Sequence, residues 1–348
     1  MKILLITMEY PPDRGGVGNY YFNLVKNLKA AEVEVFKVSK NHFFKYFWPR
    51  WLKLFFELKR LVKKEKIDLI WVGQVLPIGE AAYLIKKLYK IPYFVSAHGM
   101  DIMVPQKKLR KETIMRKVLE QADFITANSQ FTKTELLNLS LPDDKIEVIY
   151  PCPNYLPESN QKPDLDLTGK KVLLTVGRLV KRKGQDLVIE VLQDLVKEFP
   201  NLVYLIIGDG PEKEKYFNKE NVILLDNISD QELPGYYRLA DIFVMPSRQI
   251  GGDVEGFGLV YLEAAIFNLP VIAGRSGGIG EAVLDNQTGL LVDPENKDDL
   301  TEKIRQILNN EDLGVRLSLE AKKRVEKDFQ WPVQADKLRE KIKGLTGG

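Results

Sequence analysis

The chain has 348 residues, and at roughly 150 residues per domain that is enough for about two independent cores. Hydrophobic residues make up 45% and charged residues 28%, a balance that excludes disordered, collagen-like and coiled-coil organisation. The net charge of +3 conceals an asymmetry: residues 1–150 carry 25 Lys and Arg against 16 Asp and Glu, or +9, and residues 151–348 carry 26 against 32, or −6.

The basic first half is expected to face something anionic, with a membrane surface, nucleic acid or a phosphorylated substrate as candidates. The single cysteine, Cys152, leaves no internal disulfide. With only His42 and His98 beside it, a Cys/His zinc site cannot be assembled, although carboxylates could still hold Mg²⁺ or Ca²⁺. No structural metal is expected.

Short runs of Ile, Leu and Val alternate with longer amphipathic stretches, the pattern of βα units around parallel sheets buried on both faces. The first apolar run is too short for a signal-peptide core and reads as a first strand at 2–7. Further strands are predicted at 33–38, 67–72, 92–96, 124–127 and 146–149. Pro151, Pro153, Pro157 and Pro163 then interrupt a polar stretch that holds neither helix nor inner strand.

A second series follows at 171–176, 202–207, 222–225, 242–245, 270–273 and 289–292. The expected division is a first domain over 1–155, a linker over 156–166, a second domain over 167–328 and a C-terminal helix over 329–348 crossing back to the first. Both domains read as doubly wound α/β units, whose strand carboxyl ends would line a cleft from both sides. No window offers about eighteen uninterrupted apolar residues, so no segment is expected to span a bilayer. A reducing cytosol is the expected compartment.

Three loops carry candidate chemistry. After the first strand, Gly15 and Gly16 remove side chains where a strand turns into a helix, so backbone amides could approach an anion; a tight turn is the plain alternative. This is not the G-x-G-x-x-G dinucleotide fingerprint, and Ser39-Lys40 follows strand two where an acidic residue would bind a ribose, which weakens a nicotinamide reading.

The loop after 171–176 reads Gly177-Arg178-Leu179-Val180-Lys181-Arg182-Lys183-Gly184. A basic run is usually a solvated face, but this one crowds a strand end before a helix amino terminus, where Arg178 could fork onto phosphate oxygens and Lys183 supply a point charge. The third loop places Glu255 before a helix and Glu263 about one turn inside it. Both could face one ligand, beside the backbone amides of Phe257, Gly258 and Leu259 at the helix start. The alternative is a cap and a surface glutamate, but Glu263 among apolar neighbours is costly without a partner.

With His98-Gly99-Met100-Asp101, Gly208-Asp209-Gly210-Pro211, Ala240-Asp241, Pro246-Ser247, Ser276-Gly277-Gly278 and the run Thr288 to Pro294, these motifs resemble, almost end to end, the retaining nucleotide-sugar glycosyltransferases of family four, or group 1. The resemblance implies a GT-B fold of two Rossmann-like domains. It also implies that Arg178 and Lys183 neutralise the donor diphosphate against Gly16, beside Gly15, that Glu255 and the Phe257 and Gly258 amides hold the sugar, and that Glu263 binds the ribose. His98 would lie near the sugar 6-hydroxyl, although a histidine at that position could equally belong to the core. The base would pack near Asp226 and Ile228, with Leu259 completing the donor-binding set.

No metal or other cofactor is implied, only the nucleotide-sugar substrate. Asp253-Val254-Glu255 superficially resembles the acidic metal motif of the other glycosyltransferase fold, but its place at a glycine-rich helix start matches the family's E-x7-E context better. Residues 251–264 with 270–274 are similar to the phosphatidylinositol mannoside mannosyltransferases, which points to GDP-mannose and an α-mannosyl transfer, with UDP-glucose or UDP-N-acetylglucosamine as alternatives.

A nucleotide-sugar epimerase or a non-catalytic sugar-nucleotide-binding relative are the other classes weighed. Residues 41–66 hold eight aromatics and eight Lys and Arg, and their apolar stripe suits either a helix flanking a sheet or interfacial insertion. The second option implies an anionic membrane surface met through Trp51, Lys53, Phe55 and Arg60, a lipid-linked or glycan acceptor, and a peripheral place on the inner face of the cytoplasmic membrane. Nucleic acid is not expected as a partner, because these aromatics do not space as base-stacking platforms.

Overall fold

The computed structural model describes residues 1–12, 15–28, 32–46, 48–154, 163 and 165–346. Most of the linker placed at 156–166, and positions 13 and 14 of the first glycine loop, lie outside the described residues. The chain folds as two compact units, Met1–Pro151 with Trp331–Gly348, and Cys152–Gln330.

In chain order the first unit contains β1 (Lys2–Thr7), α1 (Gly16–Asn27), β2 (Glu32–Lys37), α2 (Leu52–Glu65), β3 (Leu69–Val72), α3 (Ile78–Tyr89), β4 (Tyr93–Ala97), α4 (Met100–Gln106), α5 (Leu109–Gln121), β5 (Ile125–Ala127), α6 (Gln130–Asn138) and β6 (Ile146–Val148). Its sheet runs β2-β1-β3-β4-β5-β6, parallel throughout. The apolar runs of β1 and β3 are buried, as central parallel strands require, whereas the alternating Glu-Val-Glu-Val of β2 sits half-covered at the edge. The chain steps one way from β1 to β2 and the other way from β3 onward, so the topological switch point lies between β1 and β3.

The second unit contains β7 (Lys171–Val176), α7 (Gln185–Glu198), β8 (Leu202–Ile207), α8 (Lys213–Tyr216), β9 (Val222–Leu225), α9 (Leu233–Leu239), β10 (Ile242–Met245), α10 (Leu259–Ile266), β11 (Val271–Gly274), α11 (Ile279–Ala282), β12 (Leu290–Val292), α12 (Lys297–Asn309) and α13 (Glu311–Asp328). Its sheet, also parallel, runs β12-β11-β10-β7-β8-β9, with the switch point between β7 and β10. Asn296 and Asn310 accept backbone N–H groups at the starts of α12 and α13.

The final helix, α14 (Trp331–Thr346), belongs to the first unit, where it packs on α1. Gln334 Oε1 accepts the Tyr150 N–H at 3.0 Å, and Lys341 Nζ donates to the Asp144 carbonyl at 2.6 Å.

Helix α2 takes the first of the two forms open to residues 41–66, a helix flanking the sheet. Its stripe of Leu54, Phe55, Leu58 and Val62 is buried with Ile78, Ala81 and Ile85 of α3 in the core of the first unit. Phe55 is only 6% exposed, and Trp51 packs partly buried against the same core. Lys53 is partly covered, leaving Arg60 exposed. The face that would have entered a bilayer holds the helix to its own sheet, because the apolar area it buries there is already removed from water.

Candidate active site

In the second unit the loops after β7 and β10 meet at the switch point. Residues Lys181–Lys183 form one 3₁₀ turn that ends at Gly184, φ +78°. A Cβ at Gly184 would lie 2.4 Å from the Pro246 carbonyl oxygen, so this close approach of the two loops requires glycine. The Arg248 N–H donates to the Arg182 carbonyl at 2.8 Å, and the buried Arg248 guanidinium pairs with Asp186 on α7. The basic turn is thereby fixed from both sides.

Two cations converge on one carboxylate oxygen. Lys183 Nζ lies 2.5 Å and Arg182 Nη1 2.6 Å from Glu255 Oε2, and Arg182 Nε is 2.9 Å from Asp253 Oδ1. Side-chain exposures of 12%, 11% and 15% for Arg182, Lys183 and Glu255 mean that solvent screens these charges little. Burial pushes the Glu255 carboxyl up, but the Lys183 and Arg182 charges outweigh it and bring the pKa down to about 2.

The backbone of Glu255 is fixed as well. Its carbonyl accepts the Gly278 N–H at 3.0 Å, and a Cβ on Gly277, φ +55°, would sit 2.2 Å from that same oxygen. The Ser276-Gly277-Gly278 motif is therefore a backbone clamp on Glu255.

Glu263, eight positions on and inside α10, is held differently. Tyr237 Oη donates to its carboxylate at 3.2 Å, and burial raises its pKa to about 7. Phe257 and Gly258 are buried at the start of α10, where the Tyr261 N–H donates to the Gly258 carbonyl at 3.1 Å and no side chain caps the helix. Two glutamates of one motif thus occupy opposite protonation regimes, one fully ionised and one titrating near neutrality.

Arg178 does not join this cluster. It stands exposed, and its carbonyl accepts Gln185 Nε2 at 3.2 Å. Asp226 and the half-buried Ile228 lie in the loop after β9, with Asp226 ion-paired to Lys213, which lowers its pKa.

In the first unit His98 follows β4. Its Nε2 is 2.7 Å from Tyr21 Oη, and that hydroxyl donates its only proton to the Gly73 carbonyl at 2.5 Å. Nε2 must therefore carry the hydrogen, which makes the neutral Nε2–H tautomer. Burial lowers the His98 pKa to about 4, so the ring is uncharged at neutral pH. The His98 N–H donates to Asp101 Oδ1 at 2.8 Å, and burial raises the Asp101 carboxyl to about 6. Gly16 opens α1, and a Cβ there would meet nothing within 4 Å, whereas one on Gly15 would reach the Glu9 carboxylate at 3.3 Å.

Arg182, Arg248, Asp186, Tyr237 and Tyr21 complete these arrangements beyond the residues the sequence points to, and Asp253, legible there only as part of a superficial metal motif, pairs with Arg182. The run Lys181-Arg182-Lys183 was the available signal for Arg182; Tyr237 and Tyr21 carry none, since buried tyrosines are common in sheet cores. Among the described residues no group of three or more His, Cys, Asp or Glu side chains is placed to hold a metal ion, and no helix is long and apolar enough to cross a membrane.

Comparison with known proteins gives this geometry its context. The family model for glycosyl transferases group 1 matches residues 158–324, and that for glycosyltransferase family 4 matches residues 14–153. The chain is 28% identical to the GDP-mannose-dependent alpha-(1-6)-phosphatidylinositol monomannoside mannosyltransferase of Mycolicibacterium smegmatis, covering 98% of each chain. It is 31% identical to an uncharacterized glycosyltransferase of Methanocaldococcus jannaschii, covering 95% of each. Among solved structures, Anabaena HepE in complex with UDP superposes with a TM-score of 0.81 at 19% identity, covering 99% of this chain and 100% of that one. With two doubly wound sheets and such relatives along nearly its full length, this chain belongs to the group 1, family-four glycosyltransferases and has their GT-B fold.

Proposed function

We propose that this glycosyltransferase is a retaining α-mannosyltransferase that moves mannose from GDP-mannose to a lipid-linked or cell-envelope glycan acceptor at the inner face of the cytoplasmic membrane. The observation that carries the reading is the Lys183–Glu255–Arg182 cluster at the switch point of the second sheet, in a chain similar over 98% of its length to a GDP-mannose-dependent enzyme.

In the free protein the cations and the carboxylate satisfy one another. Donor binding would exchange partners: diphosphate oxygens replace Glu255 on Lys183, with Arg178 folding in from solvent, and sugar hydroxyls replace the cations on Glu255. No buried charge is left bare by the exchange, which keeps the desolvation cost low. As the bond from sugar to diphosphate lengthens, negative charge grows on the leaving group, where fixed cations stabilise it most. The departing phosphate then takes the proton of the acceptor hydroxyl attacking from the same face, without a covalent glycosyl-enzyme and without a metal ion.

Glu263 would take the ribose, Asp226 and Ile228 the base, and the Phe257, Gly258 and Leu259 amides the sugar and phosphate oxygens. In the first unit, His98 is assigned to the sugar, and Gly16 beside Gly15 to the diphosphate. Gly16 suits that role because its missing side chain is not required by packing.

The test is turnover of GDP-mannose, UDP-glucose and UDP-N-acetylglucosamine with a polyprenyl or phosphatidylinositol acceptor in EDTA, reading nucleotide release and, by NMR, product configuration. Acceptor-dependent GDP release with an α-linked product is expected. Use of a UDP-sugar instead would move the donor assignment, a β-linked product would end the retaining mechanism, and loss of turnover in EDTA would end metal independence. Interconversion of donors without acceptor would indicate an epimerase, and binding without release a non-catalytic relative.

A further inference from the structure

The burial of the α2 stripe leaves a different feature of the first unit facing outward. An open cavity of about 1920 Å³ lies among residues 38–45 and 48–53, the start of α3, and α4 and α5, well above the roughly 300–1,000 Å³ of ordinary small-ligand sites. Its lining is aromatic and aliphatic, with Phe43, Phe44, Trp48, Trp51, Leu76 and Val104 contributing. Its charged groups are mostly basic: Lys40, Lys45, Arg50, Lys53, Arg110 and Lys111. None of these six forms a salt bridge among the described residues.

Among the described lining residues, only Glu80 and Asp101 oppose them. Glu80 is hydrogen-bonded to Trp51, and burial raises its pKa to about 7; Asp101 is likewise raised by burial to about 6. Near neutral pH burial therefore leaves these two carboxyls partly protonated, and they oppose the basic side chains less. Trp48 is 66% exposed with the Arg110 guanidinium 4.2 Å above its ring. Leu109, next to Arg110 in the chain, is 82% exposed.

We infer that this cavity binds a single anionic amphiphile, its phosphate held by the basic rim and its hydrocarbon chain laid along the aromatic lining. This rests on the glycosyltransferase reading above, whose acceptor the ligand would be. Charge complementarity selects the anionic head group, and the continuous apolar lining selects the chain. A hexose alone would leave most of that lining in water. A single-stranded nucleic acid would find aromatic surfaces, but few polar groups to meet its base edges, Ser39 and Asn41 being the uncharged polar side chains of the lining. The positive charge of the first half thus acts on one lipid molecule at a time and does not need a flat helix face lying on a bilayer.

Calorimetric titration of the full chain with dodecyl phosphate below its micelle concentration tests this. Parallel titrations use inorganic phosphate, dodecyl maltoside and a thymidine oligonucleotide. Saturable one-to-one binding of dodecyl phosphate is expected, at least tenfold tighter than any of the other three. The double substitution R110E with K111E, on exposed positions, should weaken it at least tenfold with an unchanged unfolding temperature, and W48A should weaken it while leaving inorganic phosphate as it was. Equal binding of the neutral maltoside, stronger binding of the oligonucleotide, absence of binding, or indifference to R110E/K111E would each overturn the inference. GDP-mannose titrated separately into the unmodified chain keeps the two readings apart. Its failure to bind counts against the donor assignment, and failure of dodecyl phosphate alone counts against the cavity.

Discussion

Glu255 is the residue on which charge, burial and backbone geometry converge. Replacing it by glutamine keeps its size and its carbonyl oxygen but removes the anion that balances Lys183 and Arg182. The expected outcome for E255Q is a fall in kcat of about 10²–10³-fold, the range seen when a preorganised polar contact to a transition state is removed, with the circular dichroism spectrum retained. A near-normal rate would take Glu255 out of the mechanism.

Glu263 makes a separate prediction through linkage. Its folded pKa of about 7 lies above the ordinary value of 4.5, so the folded state binds the proton more tightly than the unfolded one. Its stabilising contribution is complete below pH 4.5 and is lost as pH rises through 7. E263Q should flatten that part of the stability profile, measured by denaturant unfolding at a series of pH values; an unchanged slope would contradict it. Asp101 and Glu80, raised in the same direction, should leave a remaining slope.

The spacing of Glu255 and Glu263 was legible in the sequence, but their opposite protonation was not. It depends on the burial of Glu263 within α10 and, for Glu255, on two cations from a loop more than seventy positions earlier. For the same reason the motif singles out Arg178 while the fold brings Arg182 to the carboxylate.

At the scale of elements, the loops at the second switch point are close-packed backbone, and glycines make that packing possible. G184A is expected to cost about 1–3 kcal/mol, the scale of local backbone strain, since its Cβ would meet the Pro246 carbonyl as well as a positive φ. Thermal unfolding should show the loss, and donor affinity should fall with it. Unchanged stability would mean that the two loops do not touch.

Helix α2 gives the complementary test. L58A should destabilise by about 2–5 kcal/mol, as for other buried leucines, because Leu58 is fully buried; an unchanged unfolding temperature would return the stripe to the surface. Strands such as β1, β7 and β8 were readable to their ends, since a continuous run of Ile, Leu and Val has few uses outside a doubly covered sheet. Periodicity shows that α2 has an apolar face without saying what covers it, and a bilayer and a neighbouring helix ask for the same stripe.

At the scale of the whole molecule, each unit carries its own sheet and switch point. The basic first half contains the cationic, aromatic cavity, and the acidic second half brings Arg182 and Lys183 together on Glu255. The charge asymmetry was visible in the sequence, but the cavity itself was hidden because its lining comes from segments far apart in the chain.

The central claim is that Lys183, held beside Glu255, binds the donor diphosphate. Calorimetric titration of GDP-mannose into the unmodified protein and into K183A, with circular dichroism confirming that both are folded, tests it most directly. Binding to the unmodified protein and at least tenfold weaker binding to K183A are expected; equal affinity of the two proteins for GDP-mannose would contradict the account.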